Sequence, residues 1–207
     1  SCLHDKAFHL GTKLEESCRR AAFFCSNQRK CDKNVKKVET ELEKVKSYLN
    51  KGEKVAISLA PTCFGVFDVS AQKICGALKK LGCFYVEETA VGALAVTNAY
   101  QKIQEEMEET CYITSCCASV NLLIEKHFPK LIPLLIPVLT PLMVHARLLK
   151  QKYGHETKVV FIGPCLAKKI EGEEDEFIDA VLTIEELIQW ISEEHLDLDQ
   201  VQSMNLD

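Results

Sequence analysis

The run Val159-Val-Phe-Ile162, continuing as Gly163-Pro164-Cys165, decides the fold. Four apolar residues, all β-branched or aromatic and closed by Gly-Pro, read as a strand buried on both faces. Working outward, Val55-Ala-Ile-Ser-Leu-Ala60 reads the same way and stops at Pro61, and Phe84-Tyr-Val86 is a shorter strand. Between them the apolar spacing predicts a helix from Val69 to Leu81 with Gly82 at its end, and beyond them a long helix from Thr89 to Glu109. Tyr112-Ile113 is expected to be a short third strand running into Thr114-Ser-Cys-Cys117, with a helix from Val120 to Phe128 after it. Thr183 followed by Glu186 is a capping box that opens a further helix. Strands alternating with helices at this spacing require right-handed crossovers. They therefore predict an α/β fold, a parallel sheet with helices on both faces.

Two other stretches set the organisation. Prolines recur at Pro129, Pro133, Pro137 and Pro141 inside an apolar run, which excludes a lipid-exposed spanning helix and predicts an irregular buried connection. Upstream, Val35, Val38, Leu42, Val45 and Leu49 form one apolar stripe on a Lys/Glu-rich helix that Asn50-Lys51-Gly52 breaks. The expected division is a small Cys-rich module at 1–33, a connecting helix at 34–52, an α/β lobe at 53–195 and a tail at 196–207.

The chain has 207 residues, 47% of them hydrophobic and 27% charged, with a net charge of -5. That is globular, and too acidic to make nucleic acid an expected partner. Eleven cysteines are the anomaly. No leader pattern opens the chain, so a cytoplasmic location with reduced thiols is expected. The odd count and the adjacent Cys116 and Cys117 fit a disulfide framework badly and point to iron-sulfur or zinc. Within 1–33 the four cysteines (Cys2, Cys18, Cys25, Cys31) match neither ferredoxin nor zinc-finger spacing, which leaves their ligation open.

In parallel α/β sheets ligands sit at the carboxyl ends of the strands. Three loops are expected there: Ala60-Pro61-Thr62-Cys63, Thr114-Ser115-Cys116-Cys117, and Gly163-Pro164-Cys165 continuing to Lys168 and Lys169. Thiols beside helix N-termini are favoured as thiolates, the form that binds iron. A neighbouring Lys offers charge and a hydrogen bond to an anionic ligand. Cys63 lies close enough to be an extra ligand; Cys75, Cys83 and Cys111 read as packing residues.

Two runs carry a resemblance. Thr114-Ser-Cys-Cys-Ala-Ser-Val120 with Ile124-Glu-Lys-His-Phe-Pro129, and Phe161-Ile-Gly-Pro-Cys-Leu-Ala-Lys-Lys-Ile-Glu171, resemble the first two signature motifs of the iron-only (FeFe) hydrogenase catalytic domain, over about 55–195. The likeness looks closest to the sensory or ferredoxin-fused branch. It implies one lobe of the hydrogenase fold, a 4Fe-4S cluster and a diiron centre joined to it through cysteine. By position Cys117 and Cys165 would ligate the cubane, and Cys116 would be the thiol that shuttles protons. Lys168 and Thr62 would each hydrogen-bond a cyanide. The third motif of that family, which supplies the other two cubane cysteines, has no counterpart after Cys165. Ala118 stands where Pro is usual, Gly163 where Met is common, and the helix carries Val96 and other apolar residues where relay carboxylates are typical. The expectation is an iron-sulfur protein for hydrogen or redox chemistry, redox sensing or electron transfer, incomplete as an enzyme by itself. Its partner would be ferredoxin-like or a second hydrogenase lobe or subunit. The alternative is a non-catalytic Fe-S assembly or interaction protein of the same fold.

Overall fold

The computed structural model describes residues 40–106 and 111–207. The module at 1–33, its four cysteines and the first part of the connecting helix lie outside the described residues. In chain order the elements are α1 (Leu42–Asn50), β1 (Val55–Leu59), a 3₁₀ turn (Pro61–Gly65), α2 (Ala71–Lys80), β2 (Tyr85–Glu88), α3 (Ala90–Glu106) and α4 (Ala118–His127). They continue with a second 3₁₀ turn (Pro129–Leu134), α5 (Pro141–Tyr153), β3 (Lys158–Gly163), α6 (Ala167–Glu174), β4 (Ala180–Thr183) and α7 (Ile184–Glu193). None of the described helices is long and apolar enough to cross a membrane.

The described residues form two compact units. One, from 40–93 and 141–207, holds the sheet. Its strands run β2-β1-β3-β4 and every pair is parallel, so the α/β expectation is met. All five residues of β1 are buried, as are five of the six in β3, as double-sided coverage requires. Register aligns Glu87, Ser58, Phe161 and Val181 on one face. That face meets α5, whose His145 bonds Ser58, and α6, where a Cβ on Gly172 would stand 2.6 Å from a Val181 methyl. The right-handed crossover rule places α2 on the other face, where Ile57, Leu59, Ile162 and Leu182 continue the core. The Thr183 capping box opens α7 as expected, and Trp190 on that helix is fully buried. After α7 the chain straps back over α2 and β2. The Met204 N–H donates to Gln72 O, and the Asp207 N–H to Val86 O on the open edge of the sheet.

Several expectations are corrected. Tyr112-Ile113 is no strand of the sheet; Ile113 makes one isolated parallel bridge, to Leu135, in the second unit. The proline-rich stretch is buried only from about Ile136 on, and Pro129, Leu131 and Pro133 are exposed. Pro141 closes no loop but occupies the first position of α5, where a missing N–H costs nothing. Strand β4 and helices α5 and α6 are elements that the sequence pattern does not predict.

Candidate functional site

In the sheet unit, β1 and β3 are neighbours paired up to Leu59 with Ile162, the last residue of β1 and the last but one of β3. The Ala60 N–H still donates to Ile162 O at 2.9 Å, so the loops that follow leave the carboxyl edge side by side. One loop is the 3₁₀ turn that exposes Thr62. The other, Gly163-Pro164-Cys165, leaves Cys165 half-buried two residues before α6 begins. Gly163 has a steric reason to be glycine, because an added Cβ would stand 2.6 Å from the Phe161 ring and 3.0 Å from the Ala60 methyl. A methionine at this position would displace one of them.

Lys168 sits in the first turn of α6, and its ammonium is already held: Nζ donates to Glu171 Oε2, with both side chains largely buried. Any anionic ligand would compete with Glu171 for that donor. Cys63 tucks inward, its Sγ 3.7 Å from Ile162 O, and burial pushes its thiol up to about 11. Fully buried and turned to a backbone carbonyl, Cys63 packs in the core. Cys83 is pushed to about 12 by burial, and Cys75 is also raised by burial against the pull of Lys79. Both are the packing residues expected. Cys111 is exposed and is not one.

In the second unit, Cys116 and Cys117 are exposed, and Cys117 is the N-cap residue of α4. What fixes them is Ser115, buried between the two exposed ends of its own loop. Its hydroxyl donates to Val138 O and lies 3.3 Å from the Tyr100 hydroxyl, while its carbonyl accepts from Asn121 Nδ2 at 2.8 Å. Burial holds the Tyr100 hydroxyl above its ordinary range. Sequence reading places Ser115 in the site loop but misses its partners Tyr100 and Asn121. The N-cap pattern, with Asn four residues past Cys117, was the signal available for Asn121.

The site residues thus fall into two sets, Thr62, Cys165 and Lys168 on the carboxyl edge and Cys116 with Cys117 at a helix start. Among the described residues no group of three or more His, Cys, Asp or Glu side chains is gathered for a metal. Soft thiols before helix N-termini suit iron, and a cubane takes four of them.

Residues 53–207 match the family described as iron only hydrogenase large subunit, C-terminal domain. The chain belongs to that family. Among solved hydrogenase structures, a variant of FeFe-hydrogenase HydA1 from Chlamydomonas reinhardtii superposes with a TM-score of 0.70 at 22% identity, covering 82% of this chain and 51% of that one. An apo form of HydA1 from the same organism gives 0.69 at 22% identity over 82% and 51%. Identity this low speaks for the hydrogenase-domain fold. A curated relative, the nuclear prelamin A recognition factor of Danio rerio, is 25% identical over 167 residues, 68% of this chain and 36% of that protein. The chain therefore spans about half the length of its hydrogenase relatives and less of the zebrafish protein.

Proposed function

We propose that this chain is an iron-sulfur redox protein that supplies part of a hydrogenase-type site. The observation that supports it is the pairing of β1 and β3 up to Leu59 with Ile162, which leaves Thr62 and Cys165 on adjacent loops at the edge where parallel sheets bind ligands. In this reading Cys117 and Cys165 are two thiolate ligands of a 4Fe-4S cluster, and the bound cluster supplies one-electron chemistry. Cys116 is a non-ligating thiol that moves protons. Lys168, released from Glu171, and Thr62 donate hydrogen bonds to anionic ligands of a diiron subsite. The remaining ligands come from a second lobe or subunit, electrons pass to a ferredoxin-like partner, and the setting is cytoplasmic. The sensory branch is part of the same proposal.

A second reading, a non-catalytic Fe-S assembly or interaction protein, is favoured by the recognition-factor relative. Anaerobic reconstitution followed by iron and acid-labile sulfide analysis, with EPR of the reduced protein, tests both. Cys117→Ser is expected to lose most cluster content while Cys116→Ser keeps it, because a ligand contributes to affinity directly and a neighbouring thiol only tunes it. Equal iron retention by both variants would overturn the ligand assignment.

A further inference from the structure

The adjacent cysteines sit in a turn that a single residue holds from both sides. Asn121, the fourth residue of α4, donates from its side-chain Nδ2 to Ser115 O at 2.8 Å and from its backbone N–H to Cys117 O at 3.0 Å. The carbonyls on either side of Cys116 are therefore tied to the same residue. Ser115 is fixed a second time. Its hydroxyl has one proton and gives it to Val138 O, so the Tyr100 hydroxyl, 3.3 Å away, is the donor to Ser115 Oγ. Within this frame Cys116 turns back along the loop, its Sγ 3.8 Å from Thr114 Oγ1, and Cys117 caps α4.

The amide that ties the turn is itself left half-satisfied. Asn121 Oδ1 is buried and has no hydrogen-bond partner among the described residues. Turned the other way, the amide would set its oxygen against the Ser115 carbonyl, so its orientation is settled by that bond. An acceptor buried without a partner destabilises the folded chain, and an apolar side chain of similar size would be free of that loss. Such exceptions gather where position matters more than stability.

We propose that Asn121 is a positioning residue: it locks the Cys116–Cys117 turn so that the Cys117 thiol is held for the cluster and the Cys116 thiol is kept off it. The inference rests on the reading of Cys117 as a cluster ligand and Cys116 as its non-ligating neighbour. In a loose turn either of two adjacent thiols could serve as the ligand. Each residue has two soft backbone dihedrals, and carbonyls tied on both sides of Cys116 restrict those that lie between them. Residues that orient a metal ligand without touching the metal are worth about 10- to 100-fold in affinity.

Two measurements on the full chain test this, with Asn121→Leu as the variant. Leucine is close to asparagine in size; it loses the bond to Ser115 O and removes the unpaired acceptor. These effects on stability oppose each other, so the melting temperature should stay near that of wild type. In the chain without iron, oxidation by glutathione disulfide reads the turn. The Cys116 and Cys117 thiols give up two protons and two electrons, forming a disulfide between neighbours and releasing two glutathione thiols. Adjacent Cα atoms stand about 3.8 Å apart, short of the usual disulfide span, so the turn has to open before the bond can close. Mass spectrometry should show this disulfide forming on the order of tenfold faster in the variant, the scale of one lost hydrogen bond. A rate equal to wild type would overturn the clamp. After anaerobic reconstitution, competition with an iron chelator reads the ligand. Asn121→Leu should yield its iron at a chelator concentration on the order of 10- to 100-fold lower than wild type. Equal retention overturns the proposal, since a role confined to the fold would lower the melting temperature and leave both readouts in place. Tyr100→Phe removes the donor to Ser115 Oγ on the other side of the turn and carries the same two expectations, so an early-melting leucine variant still leaves a decisive test. Failure of the wild type to take up iron overturns the proposed function instead, and the oxidation rate still decides the clamp.

Discussion

At the scale of single residues, sterics and hydrogen bonding explain departures that pattern alone leaves unaccounted for. Gly163 is the clearest. The Phe161 ring and the Ala60 methyl both lie inside normal contact distance of any side chain added there, so Gly163→Met should cost about 1–3 kcal/mol as overpacking. A lower urea midpoint at unchanged slope would report it, and an unshifted midpoint would show that the loop yields freely. Glu186 carries a second prediction. Burial opposes its ionisation, yet hydrogen bonds from the Thr183 N–H, Thr40 and Lys169 hold its carboxyl below the ordinary 4.5. A carboxyl with a depressed folded pKa stabilises above its unfolded value and loses that contribution as pH falls through the folded one. Stability should therefore drop below about pH 4.5, and Glu186→Gln should show a shallower acid decline in melting temperature than wild type. Glu87, shifted the same way, adds to the same window.

At the scale of elements, legibility depends on length and context. Strands β1 and β3 are readable because their apolar runs are unbroken and end at Pro61 and Gly163-Pro164, and α7 because Thr183 and Glu186 form its capping box. Strand β4 is only Ala180–Thr183, hidden between an acidic loop and that same box, too short for a periodic signal. Helix α5 escapes the pattern because Pro141 continues a proline series whose first members lie in a 3₁₀ turn; the same residue type sits inside that turn at Pro133 and starts an α-helix at Pro141. The thiol motif of residues 114–117 is legible as chemistry but reads as the end of a sheet strand, since a two-residue apolar run cannot tell a strand from a single bridge. The tail is unreadable because its partners are backbone atoms. Gln202 O lies 2.0 Å from where a Gly76 Cβ would be, and Val201 beside it is buried. Gly76→Ala should lift this strap from α2 and expose Cys75, whose Sγ now donates to Asn205 O at 3.2 Å. Alkylation of Cys75 is expected to accelerate at least tenfold, in line with an opening made easier by about 1.4 kcal/mol; an unchanged rate would mean that the strap tolerates the methyl group.

At the scale of the whole molecule, the decisive quantity is the number of soft ligands. A cubane needs four cysteine thiolates. In the proposed site Cys117 and Cys165 are two of these, and no cysteine follows Cys165 in the sequence. Cys63, Cys75 and Cys83 are withdrawn into the core with raised thiols and are poor replacements. Among the described residues Cys111 is the one further exposed thiol besides Cys116, which is kept for protons in the proposed site, and it makes at most a third ligand. A cluster held by fewer thiolates than it takes is bound more weakly, and it lacks the cysteine through which a diiron subsite would be joined. The 207-residue chain alone is therefore expected to evolve no hydrogen when reduced, even after anaerobic iron-sulfur reconstitution and addition of a synthetic diiron cofactor. Headspace gas chromatography under a strong reductant measures this directly. Addition of a second polypeptide carrying the missing cysteine motif should raise iron content per chain. Hydrogen turnover by the chain alone would show that other donors replace the missing pair, and the partial-site reading would have to be given up.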